Sequence, residues 1–342
     1  RCTSELNPPY ITLAILSLTL IAVMPATVSA YISDDGQKRI PSQSKETRSK
    51  SHDLVSKKTQ PLSLAETREL LEQLRIKSRM QAAQASYNLS IIAGRSQDFT
   101  LALNLIKEAL QLDKSNPKYL TFAADISFIT QKFDKAEEYQ LELLQAVLLT
   151  RGEDDLQVAV AQDQLGAIYF AQEHHEDTQS ILQKSLQLRE KMLGDNHLLL
   201  VVSLNKLAAL AIRQKHTTVA EKLLKRSLKI AREVSGYRHS NSAAMLANLA
   251  DLYLSESRLE EAEVLYKEAI SIWVDSPGDP LRQASGQNAL GRLLLRQQRY
   301  DDARSQFKQA LFLLKQVYSH DHPYVQQAIR NITAMDARYK SM

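Results

Sequence analysis

The sequence predicts an all-α chain, a solenoid of about six stacked helix pairs with one further helix capping its C-terminal end. Three observations carry this. Gly and Pro are scarce, nine each in 342 residues, while Leu, Ala, Gln, Lys and Glu are abundant, a balance that favours helix over sheet. A short pattern recurs: Asp98-Phe99-Thr100-Leu101-Ala102 and Lys132-Phe133-Asp134-Lys135-Ala136 return as Arg258-Leu259-Glu260-Glu261-Ala262 and Arg299-Tyr300-Asp301-Asp302-Ala303. With Thr178 and Ala220 between them, the landmarks fall at 102, 136, 178, 220, 262 and 303, spaced by 34, 42, 42, 42 and 41. Such a period signals stacked supersecondary units.

The third observation is that other positions keep this phase. Seven residues after each landmark stand Ala109, Leu143, Ser185, Ser227, Ala269 and Ala310; four after it stand Ile106, Gln140, Leu182, Leu224, Tyr266 and Phe307. Leu165-Gly166, Leu207-Ala208, Leu249-Ala250 and Leu290-Gly291 precede the later landmarks at a constant offset. Small residues let antiparallel helices approach, and large ones fill the grooves between them. A single pair cannot bury its apolar face alone, so pairs stack.

Ahead of the repeats, Ile11 to Met24 is an uncharged apolar run, shorter than the roughly 20 residues a spanning helix needs. Val28 and Ala30 occupy the −3 and −1 positions of a signal-peptidase site, so residues 1–30 read as a signal peptide cleaved after Ala30. Export to a periplasmic or secreted space is the expectation; the alternative is an uncleaved anchor through residues 11–30. Cys2 precedes the apolar run and is not a lipobox cysteine. Residues 31–62 are polar, without apolar periodicity, and carry seven Lys/Arg against four Asp/Glu; they read as a disordered basic linker. Ser63-Leu64-Ala65-Glu66 has the form of a capping box, opening an N-terminal helix over 63–82. The repeat solenoid is assigned to 83–342, with Pro323 to Ala337 as a first helix without its partner.

A net charge of +4, from 43 basic and 39 acidic residues, is too mild for a nucleic-acid partner. Cys2 is the only cysteine, which excludes an internal disulfide, a cysteine zinc site and a cysteine nucleophile in the body. No phosphate loop, Gly-x-Ser-x-Gly elbow or His-Glu-x-x-His is present. His320-Asp321-His322 suggests metal, but His197, His239 and His322 sit on the repeat period and read as turn residues; His174-His175 reads as a loop pair. Glu260, Glu261 and Glu263 suit a helix N-terminus. The sequons at Asn88 and Asn331 fall inside predicted helices, and Trp273 reads as packing. Catalytic residues, metal and cofactor are therefore not expected.

The 34-residue units resemble tetratricopeptide repeats, and the 42-residue units resemble the kinesin-light-chain type. Leu186-Gln187-Leu188-Arg189-Glu190-Lys191-Met192-Leu193-Gly194-Asp195-Asn196-His197 and Tyr318-Ser319-His320-Asp321-His322-Pro323-Tyr324-Val325 carry that resemblance most closely, within a match over about 83 to 338. Gln140 and Leu143 depart from the family's usual aromatic and small residues. The resemblance implies a right-handed α-solenoid whose first helices line a groove for a protein or peptide. Carried over residue by residue, it implies groove positions at Asp163 and Gln164; Asn205, Lys206 and Arg213; Asn248 and Asp251; Asn288, Arg292 and Arg296; and, on the terminal helix, Arg330 and Asn331.

Asn side chains at such positions pair with the amides of an extended segment, and Asn205, Asn248 and Asn288 resemble part of the family's asparagine series. Lys206 and Ala289 interrupt it. Arg292, Arg296 and Arg330 suggest an acidic segment or terminal carboxylate as partner. The plainer reading is that all of these form the solvent face of amphipathic helices. Two functions follow: a non-catalytic binding scaffold of the cell envelope or secreted space, or a structural assembly factor of a membrane-associated or export complex.

Overall fold

The computed structural model describes residues 64–275 and 280–340. The stretches read from sequence as a signal peptide (1–30) and a basic linker (31–62), with Ser63 of the capping box, lie outside the described residues. Those described form thirteen α-helices and no strand.

The chain divides into two units. The first, ending at Gly152, holds α1 (Leu64–Arg95), α2 (Phe99–Leu112), α3 (Pro117–Ile129) and α4 (Phe133–Arg151). The helix α1 is continuous over 32 residues and runs unbroken through position 83. Its C-terminal half packs on α2 and α3: Tyr87 meets Tyr119 at 4.9 Å and Phe122 edge-on at 5.9 Å. Its N-terminal half carries exposed Leu71, Leu74, Ile76 and Met80.

The second unit begins at Glu153. It holds α5 (Leu156–Ala171), α6 (His175–Leu193), α7 (Leu198–Arg213), α8 (Thr217–Ser235), α9 (Ser240–Ser255), α10 (Leu259–Asp275), α11 (Pro280–Arg296), α12 (Tyr300–Val317) and α13 (Pro323–Lys340). Each helix packs mainly on its chain neighbours, as a solenoid of pairs requires.

The phase of the sequence is the phase of the core. All six landmark residues have zero exposure, from Ala102 to Ala303. The positions four and seven residues on are also buried, Gln140 and Leu143 included. The small residues are sterically required: a Cβ on Gly166 would lie 2.6 Å from Leu182 Cδ2, and one on Gly291 would lie 2.8 Å from Phe307 Cε1.

Two turn types alternate. Within a pair, the first helix ends in a Schellman-type closure: Lys132 N–H reaches Ser127 O at 2.8 Å, and His216 N–H reaches Ala211 O at 2.8 Å. The residue before each closing donor is left-handed yet never glycine: Gln97, Gln131, Glu173, Lys215, Ser257 and Gln298, with φ between 58° and 64°. Between pairs, α4, α6 and α8 end on left-handed Gly152, Gly194 and Gly236. The next helix is then capped by a side chain. Asn116 and Asp155 do this with oxygen, whereas His197, His239 and His322 accept through Nδ1 from the amide two residues on, at 3.1, 3.1 and 3.3 Å. The periodic histidines are thus turn residues, and their work is N-capping.

Candidate functional site: a groove over α7, α9, α10 and α11

The second unit holds a groove of 360 Å³, within the range of about 300–1,000 Å³ that ligand clefts occupy. Helix α7 contributes Asn205 and Lys206; α9 contributes Met245, Asn248 and Asp251; α10 contributes Tyr266 and Trp273; α11 contributes Arg282, Ser285 and Gly286. The helical repeat explains the stacking: Asn205 and Asn248 occur on successive first helices, and Asp251 lies one turn beyond Asn248.

Of the residues expected in a groove, four come together here: Asn205, Lys206, Asn248 and Asp251. Asn205 Oδ1 accepts from the Ser227 hydroxyl at 2.9 Å, and its Nδ2 faces Met245 Sδ at 3.1 Å. Asn248 is half-buried, and no hydrogen bond of its side chain occurs among the described residues. Lys206 Nζ donates to the Asp163 main-chain oxygen at 2.8 Å. Burial pushes the Lys206 ammonium below its ordinary pKa; Asp163 opposes that shift and Arg189 adds to it. Asp251, recessed in the groove, accepts from the Tyr266 hydroxyl. Burial raises its carboxyl, against the charge of Arg292 and the Tyr266 hydrogen bond.

The other expected residues lie elsewhere. Asp163 is buried, so it is not a groove-surface residue: its carboxylate meets Arg189 at 2.8 Å and accepts from Ser185 at 2.7 Å. Gln164 is half-buried. Arg213 pairs with Glu173. Arg296 donates to Leu254 O at 2.6 Å and to Ser257 Oγ at 2.9 Å. Asn288 and Arg292 are half-buried outside the groove lining, with Oδ1 and Nε lacking hydrogen-bond partners among the described residues. On α13, Gln327 binds both Arg330, at 2.7 Å, and Asn331, at 3.0 Å. Thus Asn288 does not continue the asparagine pair along this groove.

Sequence reasoning missed the apolar half of the site. Trp273 is 5% exposed and packs as expected, yet it also forms groove wall, and its Nε1 has no partner among the described residues. A Cβ on Gly286 would lie 2.7 Å from the Trp273 ring, so this glycine is what lets α11 close on the indole. A glycine in the middle of α11 was the available signal. Both sequons lie in helix: Ser90 is buried with its hydroxyl on Tyr87 O, and Thr333 bonds Ile329 O. Among the described residues no three His, Cys, Asp or Glu side chains converge as metal ligands, and no helix is long and apolar enough to cross a membrane.

Residues 119–191, 161–233 and 199–274 match one model of the tetratricopeptide repeat, and residues 284–324 match a second. No curated protein sequence matches the chain. Among solved structures, BtubC (BKLC) from P. vanneervenii is similar over 72% of this chain and 93% of its own, at 17% identity and TM-score 0.52. Nearly identical TPR-like repeats of a Podosopora anserina kinesin light chain match over 59% and 96%, at 17% identity and TM-score 0.50. Yeast Tom70 matches over 81% of this chain and 59% of its own, at 15% identity and TM-score 0.51. At these identities the likeness is one of fold.

Proposed function

We propose, from the premise that the chain belongs to the tetratricopeptide-repeat family, that it is a non-catalytic scaffold holding an extended segment of a partner protein in the α7–α11 groove. The observation that carries this is Asn248. Its amide offers both a donor and an acceptor, it lines the groove, and it has no hydrogen bond among the described residues. Asn205, one repeat earlier, presents an Nδ2 that, among the described residues, donates only to a thioether, a weak acceptor. Two amides on neighbouring repeats suit the main chain of an extended peptide.

The test is crosslinking and affinity capture with the full chain and its Asn248→Ala variant. Loss of the captured partner with unchanged helicity supports the groove. Unchanged capture removes it. Asn205→Ala is the poorer probe, because Asn205 also satisfies the Ser227 hydroxyl.

Export to the cell envelope or secreted space is supported by the Ile11–Met24 run and the small residues before position 31. Mass spectrometry of the mature chain tests it: Tyr31 at the N-terminus is expected, and a retained segment 11–30 points to an anchor. One observation favours the alternative, an assembly factor in a membrane-associated complex. The N-terminal half of α1 exposes Leu71 and Leu74 about one turn apart and, on another side of the helix, Ile76 and Met80 about one turn apart, and exposed apolar pairs on a helix suit contact with another chain. Crosslinks from this stretch to another subunit support that reading; a chain monomeric in its own membrane fraction opposes it.

A further inference from the structure

The chemistry of the segment follows from what the groove's own charges already do, given the peptide-binding reading above. Of the three arginines that suggested an acidic partner, Arg296 and Arg330 are hydrogen-bonded within the fold, and Arg292 faces the Asp251 carboxylate from outside the groove lining. Lys206 is held by the Asp163 main chain, and the Asp163 carboxylate is shared with buried Arg189. Arg213 is paired with Glu173, and Arg296 is spent on Leu254 O and Ser257. Arg282 likewise has an interaction partner. The groove's one carboxylate, Asp251, takes the Tyr266 hydroxyl and faces the charge of Arg292.

A charged side chain entering this groove loses its hydration and gains no unspent counter-charge, a net cost. What the lining offers instead is apolar surface and amides. Val201, Met245, Trp273 and Ala289 form the walls, Val202 stands at the exposed rim, and the Trp273 ring rests against Gly286 where a side chain would otherwise stand. We infer that the groove takes an uncharged extended segment, its main chain on Asn205 and Asn248 and an aliphatic side chain seated against Met245 and Trp273. Complementarity here is of neutral surface to neutral surface, and it departs from the acidic partner that the arginines alone suggested.

Trp273 is the only tryptophan of the chain, so its emission reports occupancy directly. The probes are short acetylated, amidated peptides of Gly, Ser and Asn with one central residue set to Leu, Asp, Lys or Gln. Titrated into the full chain, the Leu set is expected to shift Trp273 emission and bind at least about tenfold tighter than the Asp or Lys sets, with no loss on adding salt. The exposed rim change Val202→Ser is expected to weaken the Leu set and leave helicity alone. Equal or tighter binding of the Asp set overturns the inference while leaving the groove reading intact, provided that binding still falls with Asn248→Ala. If no set binds, or if binding ignores Asn248→Ala, the groove reading falls with it.

Discussion

Arg189 Nη1 lies 2.8 Å from Asp163 Oδ2, with each side chain 4% exposed. The pair joins α5 to α6. Lys206 ties α7 to it through the Asp163 main chain, and Ser185 and Ser203 hydrogen-bond the same carboxylate. Two cations therefore converge on one buried anion. Removing one member of such a pair costs about 3–5 kcal/mol, because the other charge is left buried. The two removals are unequal here. Asp163→Asn strands both Arg189 and Lys206, whereas Arg189→Met leaves Asp163 beside Lys206. Urea unfolding is expected to show Asp163→Asn as the more damaging, with the double change Asp163→Leu and Arg189→Met recovering only the share due to Arg189, since Lys206 still lacks its anion. Equal single effects would show that Lys206 takes no part.

Gly166 and Gly94 give opposite expectations for the same substitution. Alanine gains about 1 kcal/mol over glycine in a helix interior. At Gly94, in the last turn of α1 where that gain is smaller, the added Cβ meets the end of the Phe122 ring at 3.3 Å and Ile126 Cδ1 at 3.6 Å, and only the ring end has to yield, by a few tenths of an ångström. Gly94→Ala is therefore expected to be neutral or mildly stabilising. At Gly166 the Cβ falls 2.6 Å from Leu182 Cδ2 and 2.9 Å from its Cγ, and Leu182 is buried. Overpacking of that kind costs about 1–3 kcal/mol, so Gly166→Ala is expected to lower the melting temperature. A melting temperature above the parent would mean that α5 and α6 separate easily.

These contacts show why some of the molecule was legible in sequence and some was not. The landmark alanines and glycines were readable because helix approach fixes their size, whatever the partner. His197, His239 and His322 were readable as turn residues by their period, but capping through Nδ1 depends on ring orientation, which spacing does not carry. The groove was half legible. Position along a first helix set the face of Asn205, Asn248 and Asp251. It did not reveal that Glu173, 40 residues before Arg213, or Leu254, 42 before Arg296, would use up those cations. Trp273 was placed in the core by its second-helix position; that it borders a cleft depends on Gly286 of α11, against which its ring packs.

Asp125, on α3, supplies a pH dependence. Its Oδ2 has no hydrogen-bond partner among the described residues, and burial pushes its carboxyl up to about 8. The unfolded chain has an ordinary aspartate pKa of about 3.9. Over the interval between, the folded chain holds a proton that the unfolded chain releases. The favourable contribution is complete below about pH 4 and is lost as the pH rises through about 8. Asp125→Asn, which cannot ionise, is expected to stabilise the protein by about 1–3 kcal/mol on the alkaline side and by far less near about pH 5. Thermal melts at both values test this. Equal increments would assign the effect to packing instead of ionisation.

The left-handed turn residues offer a gain in stability that leaves the groove untouched. Gln97, Gln131, Glu173, Lys215, Ser257 and Gln298 recur at the spacings of the landmarks, all with φ near 60°. Without glycine nothing in the residue pattern signals this conformation, since Gln, Lys, Glu and Ser enter it only at a cost of about 1–2 kcal/mol. Glycine removes that cost but adds freedom to the unfolded chain, so the net gain is about 0.5–1 kcal/mol at each site. Glu173 and Ser257 also bind Arg213 and Arg296, which makes Lys215 and Gln298, both exposed, the cleaner sites. Lys215→Gly and Gln298→Gly are each expected to raise the urea midpoint, and the pair to add, because the two turns lie on different repeats and share no partner. Neither change is expected to alter the Trp273 response to peptide. A midpoint that falls with glycine would show that the side chains repay their turn strain through contacts of their own.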